Sequence, residues 1–453
     1  NFAIERFKLE ETINKRTKEL ILQREKTEEL LKSYAPKETI EKLHDFRKDK
    51  AQRYKMVTIL FADIIGFSAI ADQESSTEII DELDKFYFQF DQVVERLNIK
   101  KIKTVGDTYM CAGGIPKKNR TNPIEVVLAA FEMQQYLQGL IKSNRFKEIK
   151  LWDIRFGIHT GPVFAEENPR KKHPYDIWGE TVNIASRMQS SGEIGRVNIS
   201  GNTYELIREY FICQYRGKMP VKYRGDLDMY FIEGFRPKLS VDQKGIVPNN
   251  AFRTKLALIR YDDLEEFVLN KLERELPNNM YYHNLKHTID VIVQVELIGR
   301  SEGISDEELL LLKTAALFHD AGFTRGYQDH ELLGLKMAKE ILPHYDYTEE
   351  QIKQIEDLIF VTKLPPEPKN KMQEIMCDAD LDYLGRVDFI PVSQMLFKEL
   401  VVHGKIEDNL DKWNKLQIKF IENHQYFTET AKSLRDVNKK KQLDSIRKLV
   451  NSN

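Results

Sequence analysis

Apolar and polar positions follow three successive patterns along the chain. Over residues 1–48 Glu, Lys, Arg and Leu dominate, glycine is absent and Pro36 is the single proline, which predicts a long helix. A 4,3 seam through Phe2, Arg6, Leu9, Ile13, Arg16, Leu20, Gln23, Thr27, Leu30 and Tyr34 is apolar at six of its ten positions. Such a seam fits an imperfect coiled coil or a single exposed helix. A weak seam also suits a switchable connector, because two packings then differ by little. From residue 54 the pattern alternates. Tyr54–Asp63 is a short apolar run followed by Gly66, the signature of a buried strand. Thr77–Leu97 has helical spacing, and Lys101–Ala112 reads as two short strands about the turn Gly106-Asp107. Pro123–Ile141 reads as a helix, and Ile154–Phe164 as a strand containing a glycine turn. The sum is an α+β unit with one sheet and helices on a face. Residues 237–252, with two prolines, a glycine and two asparagines, read as a linker. Beyond it the spacing is helical over Leu256–Glu275, Thr288–Gly299, Glu307–Phe318, Leu332–Leu342 and Glu350–Thr362. The expected partition is a helix over 1–53, an α+β domain over 54–236, the linker over 237–252 and an all-α domain over 253–453.

Composition narrows the class of protein. A chain of 453 residues is long enough for two or three domains. A net charge of −2 gives no support for a nucleic-acid partner. Cys111, Cys213 and Cys377 have neither pairing nor zinc-like spacing, which fits a reducing, cytoplasmic compartment. No run of 18 apolar residues predicts a membrane span, and no signal peptide is visible. The chain opens at Asn1 directly in a helical pattern, so an upstream sensor or membrane domain is expected.

Candidate chemistry begins at Phe61-Ala62-Asp63-Ile64-Ile65-Gly66-Phe67-Ser68. A carboxylate ends an apolar strand, and the turn after it offers the backbone N–H groups of Gly66 and Phe67 to a metal-bound phosphate. A second acid, Asp107, follows 44 residues later at a hairpin tip in Lys103-Thr104-Val105-Gly106-Asp107. Two acids at adjacent strand ends can hold two divalent cations for nucleotidyl transfer. An Asp before a glycine turn is more often a turn former. The segment Tyr175-Asp176-Ile177-Trp178-Gly179-Glu180-Thr181-Val182-Asn183-Ile184-Ala185-Ser186-Arg187-Met188 runs from a loop into a helix, where Asn183 and Arg187 share a face.

Taken together, these three segments resemble class III nucleotidyl cyclases over about residues 55–235, and Arg155–Val163 (RFGIHTGPV) matches a further segment of that family. The resemblance implies a ferredoxin-like βαββαβ core. Asp63, Asp107 and the Ile64 carbonyl are the implied ligands of two Mg²⁺ or Mn²⁺ ions. Lys103 and Asp176 occupy the purine-reading positions, Asn183 the ribose-orienting position and Arg187 the transition-state position. Lys and Asp at the purine positions imply ATP, because Lys donates to adenine N1 and Asp accepts from the exocyclic amine; guanylyl cyclases typically carry Glu and a small residue there. Arg224 stands where a phosphate-binding Lys is usual, and Pro162 where some members place a phosphate-binding Arg. The implied product is cyclic AMP. The implied sites lie at the interface of a homodimer, with the metal acids from one subunit and Lys103, Asp176, Asn183 and Arg187 from the other. A catalytically dead homologue would lack one of these groups, and the chain keeps all of them.

A second set of candidates lies downstream. Five of the ten histidines fall between residues 283 and 344. Tyr282-His283-Asn284-Leu285-Lys286-His287, His319-Asp320, His330-Glu331 and Cys377-Asp378-Ala379-Asp380 form an ordered H…HD…D series. Over about residues 255–400 this series resembles the HD-domain metal-dependent phosphohydrolases. The resemblance implies His287, His319, Asp320 and Asp380 as ligands of one transition metal such as Fe, Mn or Zn. His330 is a possible ligand of a second metal, for which a further His near 355–365 is missing. His283, Lys286 and Glu331 are left for phosphate or water. The domain is then a phosphohydrolase, with cyclic AMP itself a candidate substrate, or a metal-retaining regulator. In an alternative arrangement the HD domain is the main enzyme, a nucleotide phosphodiesterase, and the cyclase domain is regulatory.

Overall fold

The computed structural model describes residues 51–65, 76–142, 153–167, 175–221 and 225–451. The helix expected over residues 1–53 therefore lies almost wholly outside the described residues, as do the candidate site residues Gly66, Phe67 and Arg224. The chain forms two compact units, one ending at Gly234 and the other running from Phe235; the stretch Asn119–Thr121 groups with the second.

In the first unit the order is β1 (Gln52–Ile64), α1 (Ser76–Arg96), β2 (Lys100–Val105), β3 (Thr108–Gly113), α2 (Asn122–Lys142) and β4 (Ile154–Glu167). These elements are a βαββαβ core with strand order β2-β3-β1-β4 and antiparallel neighbours throughout. This is the expected ferredoxin-like arrangement. β1 has neighbours on both sides, and Val57, Ile59, Leu60 and Ala62 are buried. Its sequence accordingly reads as a continuous apolar run rather than an alternation. The sheet continues through β5 (Tyr175–Trp178), paired with β4, then α3 (Glu180–Ser190), β6 (Val197–Ser200), α4 (Gly201–Ile207), β7 (Phe211–Val221) and β8 (Gly225–Phe235), in the order β4-β6-β8-β7.

β4 corrects one expectation. Ile154–Phe164 contains no glycine turn; the strand is continuous over 14 residues. Its glycines answer to the helix lying on it. A Cβ at Gly157 would stand 1.9 Å from the Gln189 backbone nitrogen, and one at Gly161 would stand 2.7 Å from Thr181 Oγ1. Glycine inside a strand marks close approach here rather than a break.

The segment expected as a linker carries two 3₁₀ turns, Pro237–Leu239 and Val241–Gln243. A helix begins before that segment ends, because the Asn249 side chain accepts from Phe252 N and caps α5 (Asn250–Glu275). The second unit is all helical: α6 (Leu285–Ser301), α7 (Asp306–Phe318), α8 (His330–Ile341), α9 (Glu349–Phe360), α10 (Lys371–Asp380), α11 (Phe389–Val402), α12 (Leu410–Asn423) and α13 (Glu429–Asn451) follow α5. α7 is buried almost all round from Leu309 to Phe318 and starts in a Ser305/Glu308 capping box. Its partners in the core include Leu264, Val268, Val295, Ile355, Ile359 and Ile375. No helix among the described residues is long and apolar enough to cross a membrane.

Candidate active sites

Strand register brings the first pair of acids to one end of the sheet. Asp63, near the end of β1, pairs with Thr108 of β3, and Asp107 precedes Thr108 in the β2–β3 turn. Gly106 in that turn has φ 61°, a conformation glycine adopts without strain. Three donors hold the Asp63 carboxylate. Thr108 Oγ1 donates to Oδ1 at 2.8 Å; Gln189 Nε2 and Arg155 Nη2 donate to Oδ2 at 3.0 and 3.4 Å. Asp107 is held through its main chain, its carbonyl accepting from Tyr87 OH at 2.8 Å and Ile64 N at 3.3 Å. Burial raises the Tyr87 phenol pKa, and the Asp107 and Asp63 charges raise it further, so both acids lie near one ring. Two carboxylates at one sheet end are hard oxygen donors, a set that suits Mg²⁺ or Mn²⁺.

The remaining cyclase candidates lie on β2, β5 and α3. Lys103 on β2 and Asp176 on β5 are exposed, and these two strands approach each other. Gly179, with φ 135°, is the N-cap of α3. This helix buries Thr181, Ile184, Ala185, Met188 and Gln189 while Asn183 and Arg187 stay exposed. Among the described residues, none of these four side chains bonds to Asp63 or Asp107. Pro162 contributes through its carbonyl, which accepts from Thr181 Oγ1 at 2.6 Å and anchors the start of α3. Sequence reasoning missed Thr108, Arg155 and Gln189. Thr108 follows from hairpin register; the other two depend on how α3 lies on β4.

The second unit gathers its candidate ligands from four helices. Asn284 caps α6, accepting from Lys286 N and His287 N, which places His287 in the first turn. His319 and Asp320 follow the last turn of α7, His330 opens α8, and Asp380 closes α10. His287 Nε2 lies 3.4 Å from His319 Nε2, 3.4 Å from Asp320 Oδ2 and 3.2 Å from Asp380 Oδ1. His319 Nε2 lies 3.2 Å from Asp320 Oδ2 and 3.5 Å from Asp380 Oδ1. Tetrahedral donors about 2.1 Å from one cation stand roughly 3.4 Å apart. The ring contact His319 Nδ1 to Ala316 O, 2.7 Å, turns the lone pair of Nε2 toward this cluster. Asp320 Oδ2 is buried without a hydrogen-bond partner among the described residues, and a metal would satisfy it. The residues thus fit a divalent cation.

Electrostatics agree with that fit. Burial opposes a charge on His319, yet Asp320 and Asp380 outweigh it and hold its pKa well above the usual value. Burial likewise opposes charge on the two carboxylates, and the histidines overcome it and hold both below their usual range. The cluster is a place where positive charge is demanded.

His330 Nε2 stands 3.8 Å from Asp320 Oδ1, the oxygen that faces away from the first cluster. Gly322 allows this approach: a Cβ there would meet His330 O at 1.8 Å. Thr362, near the position where a further ligand was sought, donates to Ile359 O and finishes α9. His283 is paired with Glu399, a fully buried carboxylate, at 2.5 Å from Nδ1 to Oε1. Glu399 also accepts from Tyr282 N at 2.8 Å and His283 N at 3.1 Å. The His283 ring lies 5.9 Å from that of His287 and 6.3 Å from that of His330. No motif announces Glu399, which stands alone on α11, far along the chain. Lys286 and Arg386 both bond Asp290, at a small open cavity of about 50 Å³ that His287 and Asp380 also line. In Cys377-Asp378-Ala379-Asp380 the two acids separate in role. Asp378 is wholly buried and accepts from Phe427 N and from Thr428 N and Oγ1, so it anchors Thr428, whose Oγ1 accepts from Ala431 N in the first turn of α13.

Comparison with known families defines the class of both units. Residues 50–234 match the adenylate and guanylate cyclase catalytic domain, and residues 284–382 match the HD domain. The chain joins a cyclase catalytic domain to an HD domain. Human guanylyl cyclase C is 31% identical over 244 residues, 53% of this chain and 22% of that protein. Retinal guanylyl cyclase 2 from Rattus norvegicus is 32% identical over 230 residues, 50% of this chain and 21% of that protein. The chain thus spans about a fifth of the length of these curated relatives. Among solved structures, the adenylyl cyclase CyaB from P. aeruginosa is 26% identical with a TM-score of 0.38, covering 40% of this chain and 95% of that one.

Proposed function

We propose that the first unit converts ATP to cyclic AMP and pyrophosphate at two equivalent sites of a homodimer. The observation that carries this reading is that one chain holds both functional sets with no direct bond between them. Asp63 and Asp107 lie at the β1–β3 sheet end, while Lys103, Asp176, Asn183 and Arg187 are exposed and bond to neither acid. A second copy supplies the missing half of each site. Lys103 donates to adenine N1 and Asp176 accepts from the adenine amine. Asn183 orients the ribose so that its 3′-oxygen lies in line with the α-phosphate. That oxygen forms the new P–O bond, loses its proton, and the bond from the α-phosphorus to the pyrophosphate oxygen breaks. Arg187 meets the charge that develops on the phosphoryl oxygens. Two Mg²⁺ or Mn²⁺ ions held by Asp63, Asp107 and the Ile64 carbonyl would acidify the 3′-hydroxyl and neutralise the triphosphate.

Relatives named guanylyl cyclases favour a second reading, with GTP as substrate. Lys103 and Asp176 oppose it, because they present a donor and an acceptor in the order adenine requires. The double substitution Lys103→Glu, Asp176→Cys tests the assignment. It is expected to lower the ATP:GTP ratio of kcat/KM by about 100-fold or more, the equivalent of two mismatched polar contacts. Unchanged discrimination would overturn the assignment.

For the second unit we infer a metal-dependent phosphohydrolase rather than a metal-retaining regulator. The His283–Glu399 pair is the favouring observation, since a regulator needs the ligand cluster but no oriented proton donor beside it. Glu399 fixes the His283 ring, whose proton can pass to a departing ester oxygen. A divalent Fe, Mn or Zn ion held by His287, His319, Asp320 and Asp380 would lower the pKa of the attacking water. Assays with Mn²⁺ or Fe²⁺ and a panel of phosphoesters including cyclic AMP test this. Release of product that Asp320→Ala abolishes is expected; no release from any ester would favour the regulator.

A further inference from the structure

We propose that Gln189, assisted by Arg155, is a positioning residue that ties the metal acid Asp63 to the helix bearing Asn183 and Arg187. In the homodimer this tie links the two active sites. The inference rests on the dimer reading above, and it adds a route by which one site senses the other.

Five contacts make the tie stiff. Gln189 is buried and its Nε2 donates to Asp63 Oδ2 at 3.0 Å. Arg155 stands opposite Asp63 in the β1–β4 register. Its guanidinium spans two partners, reaching Asp63 Oδ2 at 3.4 Å and the Ser190 carbonyl at 3.1 Å. Two residues along β4, Gly157 leaves no space above it, with Gln189 N where a Cβ would sit 1.9 Å away. From β6, Asn198 Nδ2 donates to Met188 O at 2.8 Å in the core. The last turn of α3 therefore cannot shift without disturbing Asp63, and Asp63 cannot reorient without pulling on α3. Packed interiors transmit such displacements rather than absorbing them.

Arg187 lies two residues before Gln189 on the exposed face of the same turn. In the dimer, a chain's Asp63 serves one site while its Arg187 serves the other. Loading a cation on Asp63 at the first site is thus transmitted through Gln189 to the arginine of the second. The coupling is reciprocal, as any equilibrium linkage between binding sites must be.

The test uses the whole chain, Mn²⁺ and a non-hydrolysable ATP analogue, with bound Mn²⁺ followed by its electron paramagnetic resonance. Wild type is expected to fill its two Mn²⁺–nucleotide sites in two unequal steps per dimer. Gln189→Met keeps most of the side-chain length and removes the donor without adding a charge. It is expected to weaken Mn²⁺ binding by about 10-fold to 100-fold, the usual cost of losing a ligand's supporting partner, and to make the two steps equal. Unfolding midpoints of all variants serve as the folding control. Arg155→Lys, which keeps a cation near Asp63 while losing the reach to Ser190 O, should equalise the steps with less loss of affinity. Wild-type Mn²⁺ affinity in Gln189→Met would overturn the positioning role, because packing alone would then suffice. Equal, independent steps in wild type would overturn the link between sites. A monomeric wild type, or one that binds no Mn²⁺–nucleotide, would instead defeat the dimer reading on which the proposal stands.

Discussion

Gly157 is a place where one methyl group should undo both stability and catalysis in the first unit. Its Cβ would stand 1.9 Å from Gln189 N, 2.3 Å from Gln189 Cα and 2.5 Å from the Met188 carbonyl carbon. Restoring ordinary contact requires at least about 1.5 Å of separation between β4 and α3. Neither side yields easily, since Gly157 pairs with Phe61 on one side and Asn198 on the other. Lifting α3 would break the Gln189–Asp63 bond and the Arg155–Ser190 contact. Overpacking costs about 1–3 kcal/mol, and the two lost hydrogen bonds add about 1–3 kcal/mol more. Gly157→Ala should therefore destabilise the first unit by about 2–6 kcal/mol. Because Arg187 rides on the displaced helix, turnover should fall by about 100-fold or more. Amide hydrogen exchange can follow the two units separately, which a single unfolding curve does not. Loss of protection is expected over β4, α3 and β6, with the second unit unchanged. Gly195→Ala is the control, since its Cβ meets nothing within 4 Å although φ is 69°; its cost should stay near 1 kcal/mol. Wild-type protection and turnover in Gly157→Ala would refute the packing argument.

Glu399→Gln preserves shape but sets an amide against the donors of Tyr282, His283 and the His283 ring. It should lower the stability of the second unit by about 2–4 kcal/mol in urea unfolding and abolish phosphoester hydrolysis. Cyclase turnover should be untouched, and retained hydrolysis would remove the proton-donor role. His424 gives a pH dependence. Burial, with Lys439 beside it, depresses its pKa to about 4. The unfolded chain binds the proton first, so stability is complete above about pH 6.5, declines as pH falls from there toward 4 and levels off below. His424→Leu should flatten that acid limb in a pH series of unfolding midpoints.

Much of this was legible in the residues because the information is local. The run Tyr54–Asp63, the turn at Gly106-Asp107 and the helix carrying Asn183 and Arg187 each declare themselves within a dozen residues. Ordered together, they imply the βαββαβ core that the strand order displays. The histidine cluster was likewise readable, since His287, His319 and Asp380 do converge. What escaped depends on which surfaces meet. Gly157 looks the same in sequence whether it makes a turn or receives a helix. Gln189 and Asp63 are 126 residues apart, and Glu399 and His283 are 116 apart, with no motif around Glu399. Asn249 was read as part of a linker because capping shows only once the helix after it is known.

The central claim is that the first unit makes cyclic AMP from ATP. It is tested most directly by identifying the product when the whole chain is given equimolar ATP and GTP with Mn²⁺ or Mg²⁺. Cyclic AMP with an equal amount of pyrophosphate, absent in Asp107→Ala, is the predicted result. Cyclic GMP as the main product would contradict the purine assignment of Lys103 and Asp176, and cyclic AMP persisting in Asp107→Ala would contradict the metal site itself.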